Sequence, residues 1–561
     1  MLGLSAALAS DEEAAPYAAF ISSTTDLTYE TATAADNPDR DAWIIACKDE
    51  MASIAAHGTW ILTPASRVKR KILPNMWIFT IKNGLDGQPE RHKARVVIKG
   101  FHQRPGLEFD AVYAPVTSKA TFRILLATAV HRKMFCRQLD IKTAFLHGLL
   151  DEDLELYCHQ PAGFVELDSD GVPFVCRLVK SLYGLKQAPR MWCREVRKVL
   201  VKEGYRSSRA DPALFVKQEL DGSWSYVLTY VDDFWICIDD LVLYDRLLAA
   251  MRRAGWEVKE LTCAQFLSLD MQLTLDAEGR TTQIILSQHN AITALVERFN
   301  QCKAHEGNAT IPMLAGAWTG DAVNSALLPN NKLYISLVGS LIYLSTCTRP
   351  DIAYAVSCLS RFSAVPTRAH WKAAKRLLLY LKLHKDWGLC YSHTPVFDLT
   401  VFSDASFGED KVTRRSQTGI SILVGGTLVH WISKRQVTPA VSTAESEYQA
   451  LSNAAREVQW IKQLRNDLGL PCTLVTIQCD SQGALSWTGD WKLEPKAKHI
   501  DIIHHYIKCL VEDKRLAVTY VNTKDNKADP FTKPLTPALF WEFMKLHGMV
   551  SLAKAQAKAS S

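Results

Sequence analysis

Two adjacent carboxylates interrupt an apolar run: Tyr226-Val227-Leu228-Thr229 leads into Tyr230-Val231-Asp232-Asp233, and Phe234-Trp235-Ile236-Cys237-Ile238 follows. Buried, each carboxylate loses its hydration and repels the other unless something positive lies between them. The run therefore has to break at the pair, as a β-hairpin with the aspartates at its tip, and a divalent cation held there would offset the repulsion. A plain polar tip, with Asp-Phe replacing the favoured Asp-Gly, accounts for the same residues. The rest of the chain bears on the choice.

With 561 residues, 48% hydrophobic and 22% charged, the chain has the make-up of a soluble globular protein of several domains. Net charge is only +6, yet Arg67, Lys69, Arg70, Lys71, Lys82, Arg91, Lys93, Arg95, Lys99 and Arg104 gather in one stretch. Such a stretch fits a polyphosphate or nucleic-acid surface, and equally a solvated hairpin face. The 14 cysteines form no C-x-x-C pair, which argues against a zinc ribbon or a redox dithiol and for a reducing intracellular compartment. The first ten residues lack the basic start of a signal peptide, and no run reaches the roughly 18 apolar residues of a membrane span. The expected chain is soluble, with no membrane partner.

Residues 1–41, rich in Ala, Thr, Ser and Asp, show no period and read as a disordered leader. Trp43, Ile44, Cys47, Met51 and Ile54 recur at helical spacing, and Trp77–Lys82 and Ala94–Lys99 flank an Asp86-Gly87 turn as a hairpin. Helices are expected over Thr121–Lys133, Ala188–Glu203 and Leu241–Ala254, with a strand over Phe135–Ile141. Residues from Pro329 to Leu383 are helical in pattern. A second block opens on a strand ending at Asp404, continues with strands at Gly419–Val424 and Leu428–Ser433, and carries a long helix from Ser442 to Leu468. Two mixed blocks joined by a helical stretch predict an α+β multidomain chain.

Asp140 ends a predicted strand upstream of the acidic hairpin. Three aspartates delivered by adjacent strands offer the hard oxygen ligands that Mg²⁺ prefers, as in a two-metal site for in-line displacement. Asp140 with Phe145, Ser181-Leu182-Tyr183-Gly184-Leu185-Lys186-Gln187-Ala188-Pro189-Arg190, and Tyr230-Val231-Asp232-Asp233 are accompanied, in order, by other short motifs. These are His92-Lys93-Ala94-Arg95, Ala114-Pro115-Val116, Gln160-Pro161-Ala162-Gly163-Phe164 and Thr348-Arg349-Pro350-Asp351-Ile352. The set resembles the reverse transcriptase of copia-type (pseudoviral) LTR retrotransposon polyproteins, over about residues 42–536.

The resemblance implies that Asp140, Asp232 and Asp233 bind the metal ions of DNA synthesis. It implies that Lys93 and Arg95, with Lys82 as a further contact, meet the incoming triphosphate, where a guanidinium fork suits phosphate. Phe145 would sit under the sugar and exclude a 2′-hydroxyl, although an ordinary core aromatic also fits there. Tyr183, Gly184 and Gln187 would shape the floor against the templating base pair, Gly184 by allowing close backbone approach.

In the second block Asp404, Glu447, Asp480 and Asp529 fall at strand ends, on a helix and in Ala528-Asp529-Pro530-Phe531-Thr532-Lys533. Their order resembles RNase H, the next element of the same polyprotein, and implies a second two-metal site that activates water. Glu445 competes with Glu447, and Glu447-Tyr448-Gln449-Ala450-Leu451 matches the family pattern better. Lys496, Lys498 and His499 match a basic segment that guides the hybrid's backbone, or form a solvated helix start. Ser268 stands where relatives carry glycine.

The reading predicts fingers, palm and thumb at 42–300, a helical connection at 301–396, an α/β RNase H fold at 397–536 and a C-terminal tail at 537–561. The function implied is RNA-directed DNA synthesis with RNase H cleavage of RNA–DNA hybrids, using two Mg²⁺ or Mn²⁺ ions per site. Its partners would be an RNA template, a DNA primer, the hybrid, deoxynucleoside triphosphates and other products of the polyprotein. The resemblance implies a cytoplasmic virus-like particle, with the nucleus also open. A binding remnant or host-adopted scaffold of the same fold, without turnover, is the alternative.

Overall fold

A computed structural model describes residues 22–83, 89–151, 153–299, 308–314, 325–472, 474–489 and 501–553. The acidic hairpin lies at its centre. Strands Trp224–Tyr230 and Asp233–Ile238 pair antiparallel with Tyr230 opposite Asp233, leaving Val231 and Asp232 as a two-residue turn. Val231 takes φ 54°, uncommon for a β-branched residue, and its carbonyl accepts a hydrogen bond from Trp192 Nε1 at 2.6 Å. Phe234 to Ile238 are wholly buried, so the apolar run predicted from sequence is a central strand. The sheet runs Val258–Leu261, Phe135–Ile141, Asp233–Ile238, Trp224–Tyr230, Leu214–Gln218, Arg206–Ser207.

Helices cover this sheet where the sequence places them. Lys119–His131 is capped by Ser118, whose hydroxyl accepts from Thr121 N at 3.0 Å, and Leu241–Arg253 is capped by Asp240. Ala188–Lys202 admits Pro189 in its first turn, where the missing N–H costs nothing. The fingers hairpin pairs Asn75–Asn83 with Pro89–Ile98, Trp77 opposite Val96, and the Asp86-Gly87 turn lies outside the described residues. Ser22–Thr25 adds a third strand against Thr80–Lys82 and Phe79, and Tyr29–Ala32 is helical. The leader expected to be disordered over 1–41 therefore carries structure from Ser22. Its main-chain pairing with a sheet edge is a long-range contact that local composition does not record.

The second block forms a five-stranded sheet in the order Thr427–Arg435, Gln417–Val424, Leu399–Ser406, Val475–Cys479, Leu516–Tyr520. Its first three strands are antiparallel, and the last two run parallel to Leu399–Ser406. The helix Thr443–Asp467, capped by Ser442, packs on this sheet.

Packing crosses the expected boundaries at 300, 396 and 536. A separate sheet joins Gln265–Phe266, Leu269–Leu275, Thr281–Ser287, Trp387–Ser392 and Met549–Ser551, so the expected C-terminal tail supplies a helix, Pro537–Leu546, and an edge strand. One apolar core continues from Phe122 on the palm helix through Leu341 and Tyr380 to Ile420 and Leu451. Arg123, 3% exposed, spends its guanidinium on the carbonyls of Val429 (2.7 Å), Thr346 (2.9 Å) and Cys347 (2.6 Å), and stacks 4.1 Å from the Trp431 ring. Asp467 accepts from Ser208 Oγ, Arg209 N and Arg206 Nη1 at 2.7, 2.9 and 3.2 Å. No helix among the described residues is long and apolar enough to cross a membrane.

The turn between Gln265–Phe266 and Leu269–Leu275 holds both Leu267 (φ 53°) and Ser268 (φ 58°) in the left-handed region, the geometry of a type I′ hairpin, which glycine favours. Replacing Ser268 with glycine should relieve this strain and stabilise the protein by about 1 kcal/mol, read as a later midpoint in urea. An unchanged or earlier midpoint would contradict the strain.

Candidate active sites

The first site gathers at one end of the central ladder. Asp140 lies directly opposite Asp233, and Ile141 N donates to Asp232 O at 2.9 Å. That bond makes Asp140–Asp233 a non-hydrogen-bonded pair, the closer of the two kinds, with Cα atoms about 4.5 Å apart. Like charges placed so repel. Asp232 sits at the turn, with side-chain surface open to solvent but protein crowded round it. That crowding, then the charge of Asp140, pushes its carboxyl up from the ordinary range, against the pull of Arg95 and Lys93.

The fingers strand Pro89–Ile98 brings Lys93 and Arg95, both half-buried, toward this end. The Arg95 guanidinium lies 5.4 Å from the centroid of Tyr183, and its Nε is buried with no hydrogen-bond partner, a donor suited to an anion. Tyr183 meets Phe145 edge-on at 5.4 Å, and burial pushes its hydroxyl up to about 12. Gly184 has φ 86°, and a Cβ there would come within 2.1 Å of Ile98 O, so the close approach requires glycine.

Gln187 and Lys82 stand apart from this group. Gln187 is 3% exposed, accepting from Gln103 Nε2 at 3.0 Å and donating to Glu108 O at 3.1 Å. Its bonds tie the floor loop to the segment 103–108. Lys82 has its backbone opposite Arg91, with its side chain outside the described residues. Glu50 was missed by sequence reasoning: it is 8% exposed and takes Val96 N at 3.3 Å, tying the edge of the Arg95 strand to the helix Arg40–Ala56. A charged residue on the apolar stripe with Trp43, Cys47 and Ile54 was the available signal.

In the second site Asp404 lies on the central strand, Asp480 just beyond Val475–Cys479, Asp529 at the start of a short 3-10 turn, and Glu447 on the long helix. Asp404, Glu447 and Asp529 are 3–5% exposed, while Asp480 stays half-open. Ligating atoms of Asp404, Asp480 and Asp529 lie within 4.8 Å of one another, as do those of Glu447, Cys479 and Asp480. Among the described residues no other three His, Cys, Asp or Glu side chains are gathered so closely, the first-site aspartates included.

Burial, then the charge of Asp404, raises Asp529 to about 7, and burial with Asp404 and Asp480 raises Glu447 to about 9. Asp404 is raised by burial, opposed by Lys533 and by a hydrogen bond from Thr532. Lys533 Nζ reaches Asp529 Oδ2 at 2.9 Å, but Asp529 Oδ1 is buried without a hydrogen-bond partner. One ammonium among four carboxylates leaves room for a divalent cation, and an all-oxygen set suits Mg²⁺ or Mn²⁺. Glu445 instead caps its helix, taking Val441 N at 2.8 Å. Lys496, Lys498 and His499 lie outside the described residues.

The six-stranded sheet is thus a palm, the long hairpin its fingers, and the five-stranded sheet an RNase H fold. Residues 58–315 match the family model described as reverse transcriptase (RNA-dependent DNA polymerase). The chain is 34% identical over 522 residues, 92% of its length, to the Retrovirus-related Pol polyprotein from transposon TNT 1-94 of Nicotiana tabacum. It is 36% identical over 536 residues, 93% of its length, to that from transposon RE2 of Arabidopsis thaliana. It spans 38% and 36% of the length of these relatives. A putative transposon Ty5-1 protein of Saccharomyces cerevisiae is 32% identical over 324 residues, covering 57% of this chain and 100% of that protein. Among solved structures, a foamy viral protease-reverse transcriptase in complex with double-stranded DNA superposes with TM-score 0.49 at 12% identity, covering 85% of this chain and 69% of the other. The chain belongs to the copia-type retrotransposon Pol polyprotein family and carries that family's reverse transcriptase domain.

Proposed function

We propose that the chain is an RNA-directed DNA polymerase that copies RNA into DNA and cleaves the RNA strand of the resulting hybrid. The observation that carries the polymerase reading is the Asp140–Asp233 pair beside Asp232, facing the Lys93–Arg95 strand. Asp140, Asp232 and Asp233 would hold Mg²⁺ or Mn²⁺, which when bound supplies charge stabilisation for the attacking and leaving oxygens. Arg95 and Lys93 orient the triphosphate, Arg95 through its unpaired Nε. Phe145, wedged against Tyr183, limits the space under the sugar. Gly184 and Gly100 let the floor loop lie flat on the fingers strand, a Cβ on Gly100 meeting Gly184 O at 2.1 Å. The fingers, palm and thumb occupy 42–300 in this reading, extended at the front by Ser22–Thr25. The connection at 301–396 and the nuclease unit at 397–536 share a sheet and a core with them, and residues 537–553 pack onto that sheet.

In the second site Asp404, Glu447, Asp480 and Asp529 would hold the same class of cation. The RNA–DNA hybrid, an RNA template, a DNA primer and deoxynucleoside triphosphates are the substrates. Other products of the polyprotein are the further partners, within an intracellular particle.

Primer extension on an RNA template, with template cleavage followed in the same tube, tests both sites. Asp232→Asn/Asp233→Asn should lower extension by about 10²-fold or more and leave cleavage. Asp480→Asn should do the reverse. No extension from the natural chain in either Mg²⁺ or Mn²⁺ would overturn the polymerase reading and leave a nuclease or a binding scaffold.

Phe145→Ala should raise ribonucleotide incorporation relative to deoxynucleotide by about tenfold or more, by opening the space under the sugar. An unchanged ratio would make Phe145 a core aromatic.

The raised carboxyls of Glu447 and Asp529 predict a pH dependence. In the metal-free protein these two groups bind more protons in the native state than in the unfolded chain between about pH 4 and 9, so their contribution to stability falls as pH rises across that window. Mg²⁺ binding should release protons near neutrality, and the rise in melting temperature on adding Mg²⁺ should grow from pH 6 to pH 9. Melting curves with and without Mg²⁺ read this directly. A metal effect independent of pH, or one that shrinks toward pH 9, would contradict it.

A further inference from the structure

The second site is not uniform in its donors. Asp404, Asp480 and Asp529 form an all-oxygen triad, whereas Glu447, Cys479 and Asp480 place a sulfur beside two carboxylates. Cys479 Sγ lies 4.0 Å from Glu447 Oε2, and Cys479 is wholly buried on the last residue of its strand. A tetrahedral Zn²⁺ with bonds of about 2.3 Å to sulfur and 2.1 Å to oxygen sets S and O about 3.6 Å apart. The observed gap needs only a few tenths of an ångström of closure. Three protein donors with Asp480 half-open leave a fourth position for water. The unpartnered, buried Oδ1 of Asp529 in the adjoining triad independently marks this end of the sheet as built for cations.

We propose that Cys479, Glu447 and Asp480 form a site for a thiophilic divalent cation of the Zn²⁺ class, overlapping the proposed Mg²⁺ site through Glu447 and Asp480. The inference rests on the reading that this cluster holds divalent cations. On binding, the thiol gives up its proton to solvent and a sulfur–metal bond forms, with no change of oxidation state. Thiolate and carboxylate together favour Zn²⁺ over Mg²⁺, which takes oxygen and keeps its waters. Because Glu447 and Asp480 serve both sets, Zn²⁺ and Mg²⁺ exclude each other in this half of the site. Trace Zn²⁺ therefore silences the nuclease centre and leaves the polymerase aspartates, which have no sulfur among their proposed ligands, untouched.

Cd²⁺ is the spectroscopic probe, since its bond to thiolate absorbs in the ultraviolet. The titration uses the full chain carrying Cys509→Ser, which removes an exposed thiol. Cd²⁺ should give a saturable band that Cys479→Ser removes and Mg²⁺ in excess diminishes. The Zn²⁺ concentration that halves template cleavage, each protein scaled to its own Mg²⁺ rate, should rise about tenfold or more in Cys479→Ser. A Cys479→Ser spectrum superimposable on that of the parent, with unaltered melting, overturns the proposal. Should that variant melt differently, X-ray absorption of the parent loaded with one equivalent of Zn²⁺ decides: no sulfur in the first shell overturns it. Neither spectroscopic measurement requires turnover, so an inactive nuclease would defeat the functional reading without deciding this one.

Discussion

Collecting negative charge where strands end is the constraint around which this molecule is organised. Asp140 and Asp233 face each other across a ladder whose next residues are fully buried, and Asp404, Glu447 and Asp529 are themselves almost wholly enclosed. Like carboxylates so placed raise one another's proton affinity, as Glu447 and Asp529 show. Rigid strands and a 25-residue helix hold them together against that repulsion. In the metal-free protein Glu447 and Asp529 hold their protons further up the pH scale than ordinary carboxylates, and a bound cation would displace them.

Placement of the counter-charges separates the two sites. In the second, Lys533 lies within the cluster and bonds Asp529. In the first, the cations Lys93 and Arg95 arrive from a different sheet, so the balance depends on how fingers and palm pack. Gly100 and Gly184 permit that packing, and Glu50 ties the edge of the Arg95 strand to the helix behind it. The two sites are also joined mechanically. Arg123 fastens the palm helix to the Thr427–Arg435 strand and to the end of Lys332–Cys347, while Asp467 grips the palm turn at 206–210. A guanidinium donating to three carbonyls satisfies itself without a buried anion, which avoids the cost of a second enclosed charge.

Much of the local structure was legible. Periodicity located the strand Phe135–Ile141 to the residue and the helices over 119–131, 188–202 and 443–467 to within a few, and the structure caps two of them with Ser118 and Ser442. The carboxylates of the second site were named from motif order, and the structure gathers them. The support shell was less legible: Gln187, expected to shape the floor with Tyr183 and Gly184, is buried and bonded to Gln103 and Glu108, and Glu50 carried no motif. Structure at Ser22–Thr25 and Met549–Ser551 escaped because both are edge strands whose pairing partners lie far along the chain.

The sequence by itself determined the elements and the chemistry available at each strand end, since alternation, capping and the solvation cost of paired aspartates act within a few residues. Only the tertiary structure decided which charges meet and how closely. Whether Asp232 feels Arg95, whether Cys479 sulfur lies beside Glu447, and whether the second sheet shares a core with the palm all depend on packing between segments separated by tens to hundreds of residues. Coulomb and ligand forces act through distance in space, and distance in space is what folding sets.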